Sequence, residues 1–155
     1  MDVQQLYQQV ILDHSKAPHG AGLREPYGTE VRHVNPTCGD EITLRVQVDD
    51  GVVTDVSYEP LGCSISVASA SVMAETVTGQ PVDDALQAYD RVLELLQSKG
   101  QGEPDPEVLG DAVAFAGVAR FPARVKCALL GWAAMRDAVL TTTTSDSTTT
   151  TEVHR

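Results

Sequence analysis

Glu41-Ile42-Thr43-Leu44-Arg45-Val46-Gln47-Val48-Asp49-Asp50-Gly51 decides the fold. Apolar and polar residues alternate strictly along it. Ile42, Leu44, Val46 and Val48 share one face, and Glu41, Thr43, Arg45 and Gln47 share the other, the pattern of a half-buried strand. Asp49-Asp50-Gly51 reads as a hairpin turn, after which Val52 to Tyr58 return as the next strand. Upstream, Thr29 to Asn35 reads as a strand as well. The expected core is therefore an antiparallel meander. The bend between its first two strands is Asn35-Pro36-Thr37-Cys38-Gly39-Asp40. There Pro36 stiffens the approach, and Gly39 can take backbone angles that a Cβ disfavours, so Cys38 and Asp40 can be aimed at one point.

Helical patterns flank the strands. Val3, Leu6, Tyr7, Val10, Ile11 and His14 repeat at i, i+3, i+4, i+7, which predicts a one-faced helix over 3–14 with Asp2 as N-cap. His14 reads as a helix-end histidine with a local hydrogen bond rather than as a ligand. Ala17-Pro18-His19-Gly20-Ala21-Gly22 is a breaker-rich loop. Glu59-Pro60-Leu61-Gly62 ends the sheet and leads into Cys63, after which small and apolar residues predict a helix closed by Gly79. The run Ala68-Ser69-Ala70-Ser71 predicts close packing against a neighbour. Val82 to Lys99 is expected as a second helix of this half, and Asp105-Pro106 opens a third that runs to about Ala116. The last helix starts at Arg120-Phe121-Pro122-Ala123-Arg124 and carries Cys127 within its first two turns. Val125, Ala128, Leu129, Trp132 and Val139 mark its buried face.

The fold class is thus α+β, a small antiparallel three-stranded sheet packed against several helices. A single domain is expected over residues 1–140, followed by a threonine- and serine-rich tail over 141–155 with no apolar pattern, expected to be disordered. The chain's 155 residues suit one core. Its formal charge of −11 argues against nucleic acid and anionic membrane as partners. No apolar run approaches the roughly 20 residues of a membrane span, and no signal peptide is recognisable, so a cytoplasmic location is expected. Thiols stay reduced there. With an odd count of 3 widely spaced cysteines, metal or thiol chemistry is a better reading than a disulfide framework.

Cys63 falls at a strand-to-helix junction and Cys127 in an early helical turn. Backbone N–H groups and the helix dipole favour thiolate in such places, and Arg124 and Lys126 act in the same direction. Taken singly, each cysteine reads equally well as a small buried hydrophobe. Taken together with Asp40, Cys38, Cys63 and Cys127 make a set of three sulfurs and one oxygen, which is a tetrahedral shell for zinc. Thiolate-rich tetrahedral sites suit zinc or iron–sulfur clusters. A carboxylate among thiolates makes ligand exchange more plausible than in a closed structural site.

The chain resembles the SufU branch of the U-type iron–sulfur assembly proteins, the family that includes IscU and the N-terminal part of NifU. The resemblance is carried by Leu6-Tyr7 through Asp13-His14 and the Pro18 loop, by Asn35 to Asp40, by Gly62-Cys63-Ser64-Ile65-Ser66 with Ala68-Ser69, and by Arg120 to Cys127. It covers nearly everything from residue 3 to 140. Scaffold members of the family usually carry histidine just before the third cysteine, where this chain has Lys126. SufU-type members carry an added segment, which the region from about Ser98 to Gly117 resembles.

The resemblance implies zinc bound by Cys38, Asp40, Cys63 and Cys127. It implies a zinc-dependent sulfurtransferase that accepts sulfur from a SufS-type, pyridoxal-phosphate-dependent cysteine desulfurase on a separate chain. Cys38 would be displaced from the metal by a histidine of the desulfurase and would attack the persulfide as a thiolate. Arg124 would dock or orient that partner, or else be a solvated charge. The alternative within the family is a scaffold on which an iron–sulfur cluster is assembled. A third reading is a non-catalytic zinc module that only binds a partner. A monomer or weak homodimer is expected.

Overall fold

The alternation at Glu41–Val48 places a strand at the centre of the sheet. In the computed structural model, which describes residues 3–36, 39–98 and 109–145, β1 (Thr29–Val34), β2 (Glu41–Asp49) and β3 (Val52–Leu61) form one antiparallel sheet in the order β1-β2-β3. Ile42, Leu44 and Val46 are buried, and the polar residues between them are only partly covered. On that partly covered face Arg45 pairs with Glu30 and Arg32 with Glu41 across β1 and β2. Asp49 pairs with Val52 around a two-residue turn, whose Asp50 and Gly51 have φ of 53° and 76°. Two successive positive φ values match the right-handed twist of a hairpin, and Gly51 accepts its share without a Cβ penalty.

β3 runs on to Leu61, past the expected end at Tyr58, with Pro60 paired to Ile42 and Leu61 to Glu41. Proline is tolerated here because β3 is an edge strand and loses no ladder bond on its outer side. That outer side is already occupied. Gly22 N–H donates to the Tyr58 carbonyl at 2.8 Å, and Tyr58 N–H to the Gly20 carbonyl at 3.3 Å. Further along, Val53 N–H donates to Gln80 at 2.9 Å, and Gly79 N–H to the Val53 carbonyl at 2.7 Å. The breaker-rich loop after residue 17 is therefore a sheet cover, and the Tyr58 hydroxyl anchors it by donating to the His19 carbonyl at 2.6 Å. Burial pushes the Tyr58 pKa up to about 12, against smaller opposing effects of its Ser71 hydrogen bond and the Arg24 charge.

The helices are α1 (Val3–Lys16), α2 (Ser64–Val77), α3 (Val82–Gln97), a 3-10 helix (Gly110–Arg120) and α4 (Pro122–Ser145). α4 lies across β1 and β2, and packs on α2. Trp132, Met135, Ala138 and Val139 from α4 join Ile42, Leu44 and Val46 in the core, with Ala70, Val72 and Met73 from α2. Each fully buried side chain such as Leu44 or Met135 contributes about 1.5–3 kcal/mol. α2 is apolar or small on almost every side because it is covered on almost every side. No described helix is long and apolar enough to cross a membrane.

Four expectations change. α1 does not bury its whole apolar stripe: Leu6 is exposed, and His14 is the fully buried member. His14 is not locally bonded either. Its ring nitrogens meet Ser71 on α2 and Asp111 on the 3-10 helix. From Gly110 to Arg120 the chain is a 3-10 helix, where an α-helix was expected to continue to about Ala116; Asp105 and Pro106, like Asp2, lie outside the described residues. Gly110, at φ 56°, breaks any α-helix arriving from upstream. Three residues per turn then align Ala112, Phe115 and Val118, all buried. Finally, the last helix does not end at residue 140 but runs to Ser145. Thr142 is buried and bonds Thr29 on β1, and the Thr143 hydroxyl donates back to the Val139 and Leu140 carbonyls. Threonine can therefore end this helix because packing and back-bonding outweigh its weak propensity. The rest of the expected tail lies outside the described residues.

Candidate metal centre

Three separate pieces of chain converge at the lower end of the sheet. The first is the β1–β2 bend. Asn35 N–H donates to the Asp40 carbonyl at 2.8 Å and Gly39 N–H to the Asn35 carbonyl at 2.7 Å, with Gly39 at φ 79°. This closure turns Asp40 inward, where it is buried. The second piece is the β3–α2 junction. Gly62 lies so close to Asp40 that a Cβ on it would stand 2.7 Å from the Asp40 Cγ. Cys63 follows as the N-cap of α2 in extended backbone, and its side chain makes no capping bond. Its Sγ instead lies 3.5 Å from Asp40 Oδ2.

The third piece is the first part of α4. Cys127 is buried, and its thiol is 3.6 Å from the Ala123 carbonyl one turn earlier. What brings it to Cys63 is the seam between α2 and α4. Ser66 donates to the Cys127 carbonyl at 3.3 Å and Ser69 to the Ala128 carbonyl at 2.5 Å. Gly131 continues the seam, since a Cβ there would stand 3.1 Å from the Ala70 Cβ. A mid-helix glycine costs about 1 kcal/mol relative to alanine, so close approach is the reason for it. The small-residue run of α2 thus packs closely against a neighbour, as expected, and the neighbour is α4.

Asp40, Cys63 and Cys127 each place a ligand atom within 4.8 Å of the others. On a tetrahedral zinc ion, a thiolate sulfur and a carboxylate oxygen stand about 3.5–3.6 Å apart. The observed 3.5 Å between Cys63 Sγ and Asp40 Oδ2 fits that edge. Donor type and spacing therefore suit a zinc-like ion held by these three. Cys38, the fourth expected ligand, lies outside the described residues. Ser66 was missed as a site residue: its hydroxyl bonds Asp40 Oδ2 and lies 3.7 Å from Cys63 Sγ, so it orients both. The i, i+3 step from Cys63 to Ser66 on one helix face was the available signal.

Beside the centre runs an apolar groove of about 650 Å³ between α1, the start of α2 and the 3-10 helix, lined among others by Ile11, Ile65, Val118, Phe121 and Arg124. Phe121 is 56% exposed at its rim. Arg124 thus belongs to the groove wall.

A three-stranded meander whose first bend sets a carboxylate beside two thiols, one from the β3–α2 junction and one from the first part of α4, defines an α+β module with a thiol-rich candidate metal site. The chain belongs to the NifU-like N-terminal domain family, whose pattern matches residues 6–128. It is 43% identical over 135 residues to the iron–sulfur cluster assembly scaffold protein IscU of Streptococcus pyogenes, covering 86% of this chain and 82% of that one. It is 42% identical over 135 residues to the zinc-dependent sulfurtransferase SufU of Bacillus subtilis, covering 86% and 89%. A crystal structure from Fervidobacterium islandicum, described as a candidate iron–sulfur scaffold protein of the SUF system, superposes with a TM-score of 0.75 at 34% identity, covering 89% of this chain and 99% of that one.

Proposed function

We propose that the chain is a zinc-dependent sulfur acceptor, which takes persulfide sulfur from a SufS-type cysteine desulfurase for iron–sulfur cluster assembly. The observation that carries this reading is the convergence of Asp40, Cys63 and Cys127 at spacings suited to one tetrahedral ion. Cys38, two residues before Asp40, supplies the fourth ligand and the acceptor sulfur. Bound zinc keeps the thiolates deprotonated and does no redox work. Asp40 is fixed by Ser66, and Cys63 and Cys127 are fixed by α2 and α4.

In the reaction, the Cys38 thiolate attacks the outer sulfur of the partner's persulfide. One S–S bond forms on Cys38 while the partner's S–S bond breaks, and the partner's cysteine leaves as thiolate. The proton of the persulfide stays with the transferred sulfur. No electrons are gained or lost overall. The apolar groove with Arg124 at its wall supports docking of that partner beside the thiol-rich centre.

Mixing the chain with a SufS-type desulfurase and cysteine, followed by mass spectrometry, tests the reading. The expected result is one added sulfur atom on Cys38, with desulfurase turnover stimulated, and both lost in Cys38→Ala. The scaffold reading is supported by the likeness to the S. pyogenes protein. It predicts instead that an intact cluster, reconstituted anaerobically, moves from this chain to an apo-acceptor. Lys126 just before the third cysteine, where scaffold members usually carry histidine, favours sulfur transfer.

A further inference from the structure

A second set of ligating side chains converges away from the thiols. His14 near the end of α1, His19 in the following loop and Glu75 in the last turn of α2 place one donor atom each within 4.8 Å of one another. Glu75 Oε1 stands 3.8 Å from His14 Nε2, and Glu75 Oε2 stands 3.4 Å from His19 Nε2. Asp111 Oδ2, from the 3-10 helix, is 2.9 Å from His14 Nε2. On a tetrahedral ion with imidazole and carboxylate arms of about 2.0–2.1 Å, neighbouring donors stand about 3.3–3.4 Å apart. The Glu75–His19 pair stands at that spacing and the Glu75–His14 pair about 0.4 Å wider, while Asp111 lies closer to His14 than two ligands of one ion would.

The surroundings add to the spacing. His14 is 6% exposed, and its other ring nitrogen, Nδ1, lies 2.7 Å from Ser71 Oγ. A metal-binding imidazole is ordinarily held in this way through its second nitrogen. The same Ser71 oxygen accepts the backbone N–H of His19 at 2.8 Å, so one hydroxyl positions both histidines. Two carboxylates meet at this point, and among the described residues neither Glu75 nor Asp111 forms an ion pair with arginine or lysine. A divalent cation would balance them. For a metal to sit on Nε2, the ring proton must sit on Nδ1. Ser71 can accept that proton's hydrogen bond as well as donate one, so a neutral imidazole changes tautomer without net proton release.

We propose that His14, His19 and Glu75 form a second site for a divalent first-row transition metal, with Asp111 accepting a hydrogen bond from a water in the fourth position. Imidazole and carboxylate donors of this kind suit zinc and its neighbours. Glu75 is 12 residues beyond Cys63 along α2, a rise of about 18 Å, so this site is distinct from the thiol-rich one. It does not rest on the sulfur-transfer reading.

The test is equilibrium dialysis of the full chain against micromolar zinc, with metal analysis. The same measurement is made on His19→Ala and Glu75→Gln, whose side chains are 56% and 45% exposed, so that folding is spared. Each substitution is expected to weaken one metal equivalent by about tenfold or more. The loss appears equally in a Cys63→Ser background, which disables the thiol site and keeps the two questions apart. In the cobalt-loaded protein, the imidazole proton resonances of His14 and His19 shift paramagnetically. If neither substitution removes an equivalent, or if cobalt leaves both imidazoles unshifted, the site does not exist.

Discussion

Gly62→Ala isolates the contact on which the thiol-rich centre depends. The added Cβ would stand 2.7 Å from Asp40 Cγ and 3.0 Å from both its Cβ and Oδ1. Carbon atoms pack at about 3.5–4.0 Å, so the carboxylate must retreat by about 0.8 Å or more. A metal–ligand bond tolerates about 0.2 Å. The displacement therefore removes Asp40 from its place 3.5 Å from Cys63 Sγ and strains its bond to Ser66. Gly62 is not among the positive-φ glycines, so alanine fits the backbone and the effect comes from the contact alone. Zinc affinity is expected to fall about 10- to 100-fold, equivalent to about 1.4–2.8 kcal/mol. Overpacking also lowers the stability of the metal-free protein by about 1–3 kcal/mol. Competition against a chelator of known affinity measures the first, and urea unfolding of the metal-free protein measures the second. A double-mutant cycle with Asp40→Ala supplies the control: if Gly62 acts through Asp40, alanine at 62 adds little once the carboxylate is gone. An affinity within threefold of wild type for Gly62→Ala would refute the reasoning.

Ser66→Ala removes the hydroxyl that bonds Asp40 and the Cys127 carbonyl; zinc affinity is expected to drop about tenfold. The same competition assay reads it, and unchanged affinity would show that the hydroxyl orients nothing. Tyr58 is pushed up to about 12 in the fold against about 10 for a free tyrosine, so between those values the unfolded chain alone is ionised. Its contribution is intact below pH 10 and is lost as pH rises to 12, by about 1.4 kcal/mol per pH unit. Tyr58→Phe should flatten the fall of stability over that range in urea titrations, while costing about 1 kcal/mol at neutral pH through the lost bond to His19. Gly131→Val drives a branched side chain into the seam where even a Cβ would meet Ala70 at 3.1 Å. It should cost about 1–3 kcal/mol and weaken zinc binding by parting Cys63 from Cys127, and a thermal melt no lower than wild type would contradict the seam.

The sheet was legible because its signal is local. Alternation from Ile42 to Val48 and the Asp50-Gly51 turn carry their own explanation, whereas the one-residue shift of register between Gln47 and Val48 has no such local sign. Asp40, Cys63 and Cys127 were legible for a different reason: each stands at a bend or helix start, and thiols and carboxylates are the residue types that metals select. Gly62 was not, because its contact is with Asp40, more than twenty residues away; for Ser66 the three-residue step from Cys63 points to the sulfur but not to Asp40, a contact that no periodicity reports. The same holds for His14, whose partners on α2 and the 3-10 helix are invisible from α1 itself. The 3-10 helix left a trace in the three-residue step through Ala112, Phe115 and Val118, which an α-helical period reads past. At the C-terminus, composition argued for an end at 140, but Thr142 is held by tertiary packing that composition does not encode.

The covered margin of β3 bears on how this chain behaves when crowded. Sheets extend into fibres when one molecule's border strand zips onto another's. Here the border at β3 already has its main-chain groups engaged by Gly20, Gly22, Gly79 and Gln80, and Pro60 has no N–H to offer. The opposite border, β1, is short and carries Glu30 and Arg32 on two of its three exposed positions, with Val34 on the third. Polymerisation by strand addition is therefore opposed on one flank by bonds already made and on the other by charge, whether or not the thiol-rich centre holds its ion.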